Sequence, residues 1–368
     1  MTPHRRQRRL AAQKGVARVG RTSTGPARQR GAATRAHPRQ RLVVADVGAT
    51  KCLFAVAEVV GRDVRLRNRR QIPTCEVPSP NALLAEALAG AAPAPTVASL
   101  AVPGPVVAGA CRTTNLPWFL DANDLARRAG LDTVVLVNDL AAAGRGLPAT
   151  PPDRLVVLHG EQVRADRTLA LLGLGSGLGQ AVVVPEGTGH RVLASEGGHA
   201  DFAPQGALQR ALAAELEATL GHVSVERVLS GPGLVRIYDF LVSSGMPAAP
   251  EVAAAAAHRR PELISELALA RTQVTCEQAL DIFVRILGAE AGNLALRALA
   301  HGGVVVMGGI APRLLEKLAD GGVVAAFLAK GRMRTLLERI PLAISTDADA
   351  PLRGAALLAL EEGAFAGD

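Results

Sequence analysis

Residues 42–60 read LVVADVGATKCLFAVAEVV. Leu42–Asp46 is a short apolar run ending in an acid, Val47-Gly48-Ala49-Thr50 turns the chain, and Cys52–Val60 is apolar again. Two such runs around a glycine-containing bend predict a β-hairpin, with a carboxylate and a hydroxyl at its tip. A second element of this kind lies downstream. Thr168–Leu172 reads as a strand, enters Gly173-Leu174-Gly175-Ser176-Gly177-Leu178-Gly179, and resumes as a strand over Gln180–Pro185. Further strands are expected at Val97–Val102, Thr133–Val137, Leu155–Leu158 and Val304–Met307. Helices are expected at Asn81–Gly90, Leu120–Ala129, 206–220, 275–300 and Pro351–Glu362, with the alanine-rich Ala248–Ala257 either helical or a helix connection. Strands alternating with helices give an α/β architecture.

The chain has 368 residues, long enough for two domains, and 49% hydrophobic content supports a large core. The Pro-rich stretch Leu147–Asp153 is the expected boundary. No apolar run approaches the ~18 residues that span a bilayer, so the protein reads as soluble. The net charge of +8 is unevenly placed: residues 1–40 hold eleven of the 41 basic residues and no acid. That leaves 30 basic against 33 acidic residues in the body. The Arg-rich segment 1–40 lacks an apolar period and is expected to be disordered. It has no apolar core of a secretory signal. Phosphate neutralisation by this tail is the one feature that suits nucleic acid, and the body does not share it. Cys52, Cys75, Cys111 and Cys276 form no CxxC pair, which fits reduced thiols in the cytoplasm.

Gly173–Gly179 places a glycine at every second position around Ser176. Such spacing lets backbone N–H groups face one concavity and cradle an anion through Gly175, Ser176, Gly177 and Gly179. None of the four lysines follows a glycine, so the chain has no GxxxxGK[ST] loop. Asp46 suits Mg²⁺ held through water, with Gly48 and Thr50 at phosphate, because magnesium keeps several waters and needs few carboxylates. Gly308-Gly309 follows a buried strand and is either part of a nucleotide site or a tight strand-to-helix turn, and Pro312 is expected at a first helical position.

A neutral, hydroxyl-rich ligand needs acceptors and donors at each hydroxyl. Asn138, Asp139, Glu196, His199 and Glu226 form such a set, each in or beside a turn. Asn138-Asp139 follows a buried strand, the usual ligand position in α/β sheets, although Asp139 could equally cap the helix after it. Glu226 could be a solvated helix-face residue, and His199 a core histidine. A zinc cluster is unsupported, since no cysteine lies between Cys111 and Cys276.

The segments ADVGATK, TTNLPW, VNDLAAA, GLGSGLG, SEGGHADFAP, GHVSVERVLSGPGL, MGGIAPR and KGRM…PLRGAALL stand in the order found in bacterial ATP-dependent glucokinases, which this chain resembles over residues 41–362. The resemblance implies the actin-like ATPase (ribonuclease H-like) fold, with two domains and a cleft between them. It divides the chain into a small α/β domain, 41–148 plus 349–368, and a large one, 149–348. It implies transfer of the γ-phosphate of MgATP to the 6-hydroxyl of glucose, in a cytoplasmic homodimer. Asp139 falls on the family's catalytic base, and Asn138, Glu196, His199 and Glu226 on its glucose ligands. Asp46–Thr50 and Gly175–Gly179 fall on the phosphate loops, and Gly308-Gly309 lies against adenine and ribose. Ala49 departs from a usual glycine, Lys51 from a frequent Asn, Ser176 from Thr and Ser195 from glycine. Ala49 would disturb phosphate approach if its position required positive φ. Another hexose as acceptor, or a non-catalytic sugar sensor using the basic tail, are the competing readings.

Overall fold

The computed structural model describes residues 39–365 apart from Gly90, Thr114 and Asn115. The expected tail (1–38 of it) and two residues of TTNLPW therefore lie outside the described residues. The first sheet begins with the expected hairpin, β1 (Gln40–Val47) against β2 (Lys51–Val60), to which β3 (Asp63–Pro73) adds an antiparallel edge. After helix α1 (Pro80–Leu88), β4 (Val97–Val102) pairs parallel to β1. A small three-stranded sheet, β5 (Val106–Val107), β6 (Ala110–Arg112) and β7 (Phe119–Asp121), leads into α2 (Ala122–Ala129). Then β8 (Thr133–Asn138) pairs parallel to β4 and gives the order β3-β2-β1-β4-β8. Its central strands are apolar on both faces because both are covered. Val43, Ala45 and Phe54 pack with Leu83 of α1 and Leu125 of α2, while Leu42, Val44 and Leu53 face the C-terminal helix.

Helix α3 (Asp139–Gly146) leaves β8 directly, and two 3₁₀ turns (Leu147–Ala149, Pro152–Arg154) fill the expected boundary. The second sheet has the order β12-β11-β10-β13-β14-β9. It comprises β9 (Leu155–His159), β10 (Leu169–Leu174), β11 (Leu178–Glu186), β12 (Gly189–Ser195), β13 (Gly303–Met307) and β14 (Leu342–Ser345). The helices between β12 and β13 are α4 (Gly206–Leu220), α5 (Val225–Val228), α6 (Gly231–Ser243), α7 (Pro250–Ala254), α8 (Arg260–Leu269) and the long α9 (Val274–Ala298). Leu212, Ile237, Ile264 and Phe283 from this layer bury Ala170, Leu172 and Val306 of the sheet. Short α10 (Leu315–Leu318), α11 (Gly322–Leu328) and α12 (Arg334–Leu337) precede β14, and α13 (Ala350–Glu361) closes the chain.

Three expectations change at element boundaries. Leu120 and Asp121 end β7 rather than begin the expected helix, which starts at Ala122, because they pair with Cys111 and Ala110. The alanine-rich stretch yields only the five-residue α7, which lacks a side-chain cap. Pro312 opens a 3₁₀ turn, Ala311–Leu314, rather than an α-helix.

Helix α3 is wedged between the sheets. Ala142 joins the core of the first sheet, while Ala143 and Leu147 join Leu171, Ala181 and Val183 of the second. Its remaining side meets α13 with nothing larger than hydrogen between backbones. A Cβ on Gly354 would lie 1.7 Å from the Ala142 carbonyl oxygen, and one on Gly146 would lie 1.9 Å from that of Ala350. The buried Arg145 guanidinium ties the same pair of helices together, its Nε donating to Glu361 Oε1 at 2.9 Å. Gly354→Ala is expected to force the helices apart and cost about 1–3 kcal/mol, read as a lower urea midpoint at unchanged m-value; an unchanged midpoint contradicts the contact.

Candidate active site

Asp46, Ala101 and Val137 stand in one row across β1, β4 and β8, near the C-terminal ends of the two parallel pairs. One position beyond that row, Asn138 caps α3: its Oδ1 accepts from Ala141 N at 3.0 Å. Asn138, and not Asp139, is therefore the N-cap, and Asp139 occupies the first helical turn. Asn138 Nδ2 donates to Gly104 O (3.1 Å) and to Asp139 Oδ1 (3.2 Å), and Leu140 N also donates to that oxygen at 2.8 Å. One carboxylate oxygen of Asp139 is thus fixed, and Oδ2 makes no hydrogen bond to another described residue.

Burial pushes the Asp139 carboxyl up to about 6, assisted by the charge of Glu196 and opposed by the backbone N–H bonds. Asp46 is pushed up to about 7, first by burial and then by the charge of Asp139, with Lys51 pulling it back. Asp139 is thereby within electrostatic reach of both Asp46 and Glu196, two predicted residues from distant stretches. Such a set favours a cation. No cluster of three or more potential ligands forms a metal cage among the described residues. One carboxylate beside an exposed hydroxyl fits Mg²⁺, which retains its waters and takes further oxygens from phosphates; it does not fit a site that must strip the ion.

The two phosphate-loop candidates share a design. In the first, Gly48 N donates to Lys51 O at 3.0 Å, while the N–H groups of Ala49 and Thr50 find no acceptor among the described residues. Ala49 avoids the left-handed region, so its methyl introduces no strain. In the second, Gly175 N donates to Gly177 O at 3.0 Å, and the N–H groups of Ser176 and Gly177 are left open. The alternating glycines differ in purpose. Gly173 and Gly179 pair within the strand ladder and make room for Leu140 of α3; a Cβ on Gly179 would lie 1.7 Å from Leu140 Cδ2. Only Gly175 to Gly177 form the tip itself. Gly308, at φ +103°, packs against the Leu174 carbonyl, and Gly309 is open, so both adjoin the second tip. Beside them a mainly apolar slot is lined by Leu234, Pro261, Leu269, Phe283, Ile310 and Leu314, with Glu262, Glu266 and Arg313 also in its wall.

The sugar candidates stand on two stitched segments. Phe202 N donates to Val223 O and Val225 N to Ala200 O, both at 2.9 Å. Glu196 and His199 flank a 3₁₀ turn with Oε2 and Nε2 3.8 Å apart, their side chains 76% and 59% exposed. Glu226 is not a solvated face residue: its Oε2 accepts from Leu178 N at 2.9 Å, binding it to the second phosphate tip. Thr50 and Ser176 are exposed, and neither side chain bonds to another described residue. Sequence reasoning missed Gln180, buried at 2% exposure, which donates to Glu290 at 2.8 Å while its amide oxygen fills the space above Gly197. A polar residue in an otherwise apolar strand was its one signal.

A family model described as Glucokinase matches residues 43–362. The chain belongs to the glucokinase family. Membership makes it an ATP-dependent hexose kinase with the two-domain actin-like ATPase fold expected from the sequence. The chain is 39% identical over 284 residues to a glucokinase of Synechocystis, covering 72% of this chain and 79% of that one. It is 34% identical over 335 residues to a glucokinase of Nostoc punctiforme, covering 86% and 98%. A crystal structure of glucokinase from an Antarctic psychrotroph superposes with a TM-score of 0.73 at 30% identity, covering 88% of this chain and 99% of that one.

Two titration results are expected. The native state holds a proton on Asp46 that the unfolded chain releases between about pH 4 and 7, so stability falls as pH rises through that window. Asp46→Asn should therefore stabilise the free protein by about 1–3 kcal/mol at pH 8, and little at pH 4, in urea unfolding; no gain at pH 8 contradicts the buried charge. Below about pH 6, kcat/KM should fall about tenfold per unit as Asp139 protonates; a profile flat to pH 5 would contradict this.

Proposed function

We propose that this chain phosphorylates the 6-hydroxyl of glucose from MgATP, with Asp139 as the base. The observation carrying the reading is Asp139 itself, held through Oδ1, open on Oδ2, and placed by a helix start within electrostatic reach of Asp46 and Glu196. Asn138, Glu196, His199 and Glu226 would meet the sugar hydroxyls. The open amides of residues 49–50 and 176–177 would receive phosphate oxygens, with Gly48 and Gly175–Gly179 shaping the tips. The base would enter the apolar slot beside Gly308-Gly309. Asp46 would hold Mg²⁺ through water, and the ion would neutralise charge on the phosphates. A carboxylate with a pKa near 6 is too weak to ionise an alcohol in advance. Asp139 therefore takes the proton late, as the phosphorus–oxygen bond to the acceptor forms.

The domain limits 41–148 plus 349–368 and 149–348 are part of the reading. They are supported by the first sheet drawing its strands from 40–138 and the second from 155–345. The cytoplasm is supported by four free cysteines, three of them buried; no described helix is long and apolar enough to cross a membrane. The working assembly is proposed as a homodimer, which light scattering tests.

A coupled ADP-release assay with glucose and MgATP tests the reaction. Asp139→Asn is expected to lower kcat by about 10²–10⁴-fold while glucose binding persists; near-normal turnover removes Asp139 as base. Glu226→Gln should raise the KM for glucose, and an unchanged KM excludes it as a sugar ligand.

A further inference from the structure

Thr74 lies outside every motif discussed above, yet it touches the first phosphate tip at two points. It is 3% exposed, at the start of the 3₁₀ turn that follows β3. Its N–H donates to Thr50 O at 3.0 Å, and its hydroxyl donates to Gly48 O at 2.7 Å. A hydroxyl has one proton, so the Cys52 thiol, 3.4 Å from Thr74 Oγ1, is the donor in that contact. With Lys51 O taken by Gly48 N, three carbonyls of the bend are occupied by protein donors. Carbonyl oxygens are the groups that repel phosphate, and amide N–H groups the ones that attract it. Tying the carbonyls of Gly48 and Thr50 to one buried residue holds their negative ends back. The N–H groups of Ala49 and Thr50 are left free, and those are the donors an anion needs.

We propose that Thr74 is a positioning residue for nucleotide phosphate, acting through the backbone of Gly48–Thr50. The inference rests on the kinase reading and assigns the donor-side geometry to a residue that never touches the nucleotide. Removing the hydroxyl leaves the Gly48 carbonyl without its buried partner, free to turn toward the anion. The cost falls on the nucleotide and spares the sugar, whose ligands sit on other segments.

The test compares Thr74→Val, which keeps the branched shape, with Thr74→Ser, which keeps the hydroxyl. In Thr74→Val the KM for MgATP should rise about tenfold, with the KM for glucose within about twofold. Thr74→Ser should restore the KM for MgATP to within about twofold of the parent. Equal rises for both substrates, no rise for MgATP, or a Ser variant as impaired as Val would each overturn the proposal. Calorimetric binding of ADP with Mg²⁺ to the parent, Thr74→Ser and Thr74→Ala proteins gives a second readout should the Val variant not fold. There, affinity must fall in Ala and persist in Ser. This readout needs no turnover, so a parent that fails to phosphorylate glucose would sink the kinase reading and leave the Thr74 result to be judged separately.

Discussion

Helix α3 has no slack. One side lies on the first sheet, another on the second, and the third meets α13 where Gly146 and Gly354 replace side chains with backbone contact. Asp139 and Leu140 are its first two residues. Any displacement of α3 therefore moves the candidate base and the side chain that fills the gap at Gly173 and Gly179 together. The position of the carboxylate and the shape of the second phosphate tip are set by one packing solution, and close-packed interiors do not deform gradually.

On this frame two buried carboxylates lie close to each other and near two hairpin tips. Burial raises the cost of ionising Asp139 and Asp46, the charge of Glu196 adding to the first and that of Asp139 to the second, while the amides at the two hairpin tips find no acceptor among the described residues. In the proposed reading a dication bound to a polyphosphate would answer both features at once, its positive charge relieving the acids and its anionic part accepting from the amides. Glu226 links the two halves, since the group expected at the sugar is bonded to Leu178 N at the foot of the second tip. The carboxylates destabilise the free protein in return for this placement, a common feature of active sites.

Much of this was legible in the sequence. Both glycine-bearing hairpins, the buried strand ending in Asn138-Asp139 and the long helix near 275–300 follow from apolar periodicity and turn residues. The strand β3 was not, because DVRLRNRRQIP is an exposed edge whose arginines protect it from pairing with another chain. Its apolar alternation is drowned by charge. The roles within the glycine run were also hidden. Spacing suggested one anion nest, but Gly173 and Gly179 answer to Leu140, and Gly177 to Glu226, residues distant in sequence. The partners of Gln180 and Thr74 come from other segments too; Gln180 carried only the signal of a polar residue in an apolar strand, and a lone Thr carries no pattern.

The direct test is a crystal structure with glucose and a non-hydrolysable ATP analogue with Mg²⁺. The account predicts the 6-hydroxyl within about 3 Å of Asp139 Oδ2, facing the γ-phosphate, with Glu196, His199 and Glu226 on the remaining hydroxyls. A sugar bound elsewhere, or one that presents a different hydroxyl to Asp139 with the phosphate out of line, would contradict it.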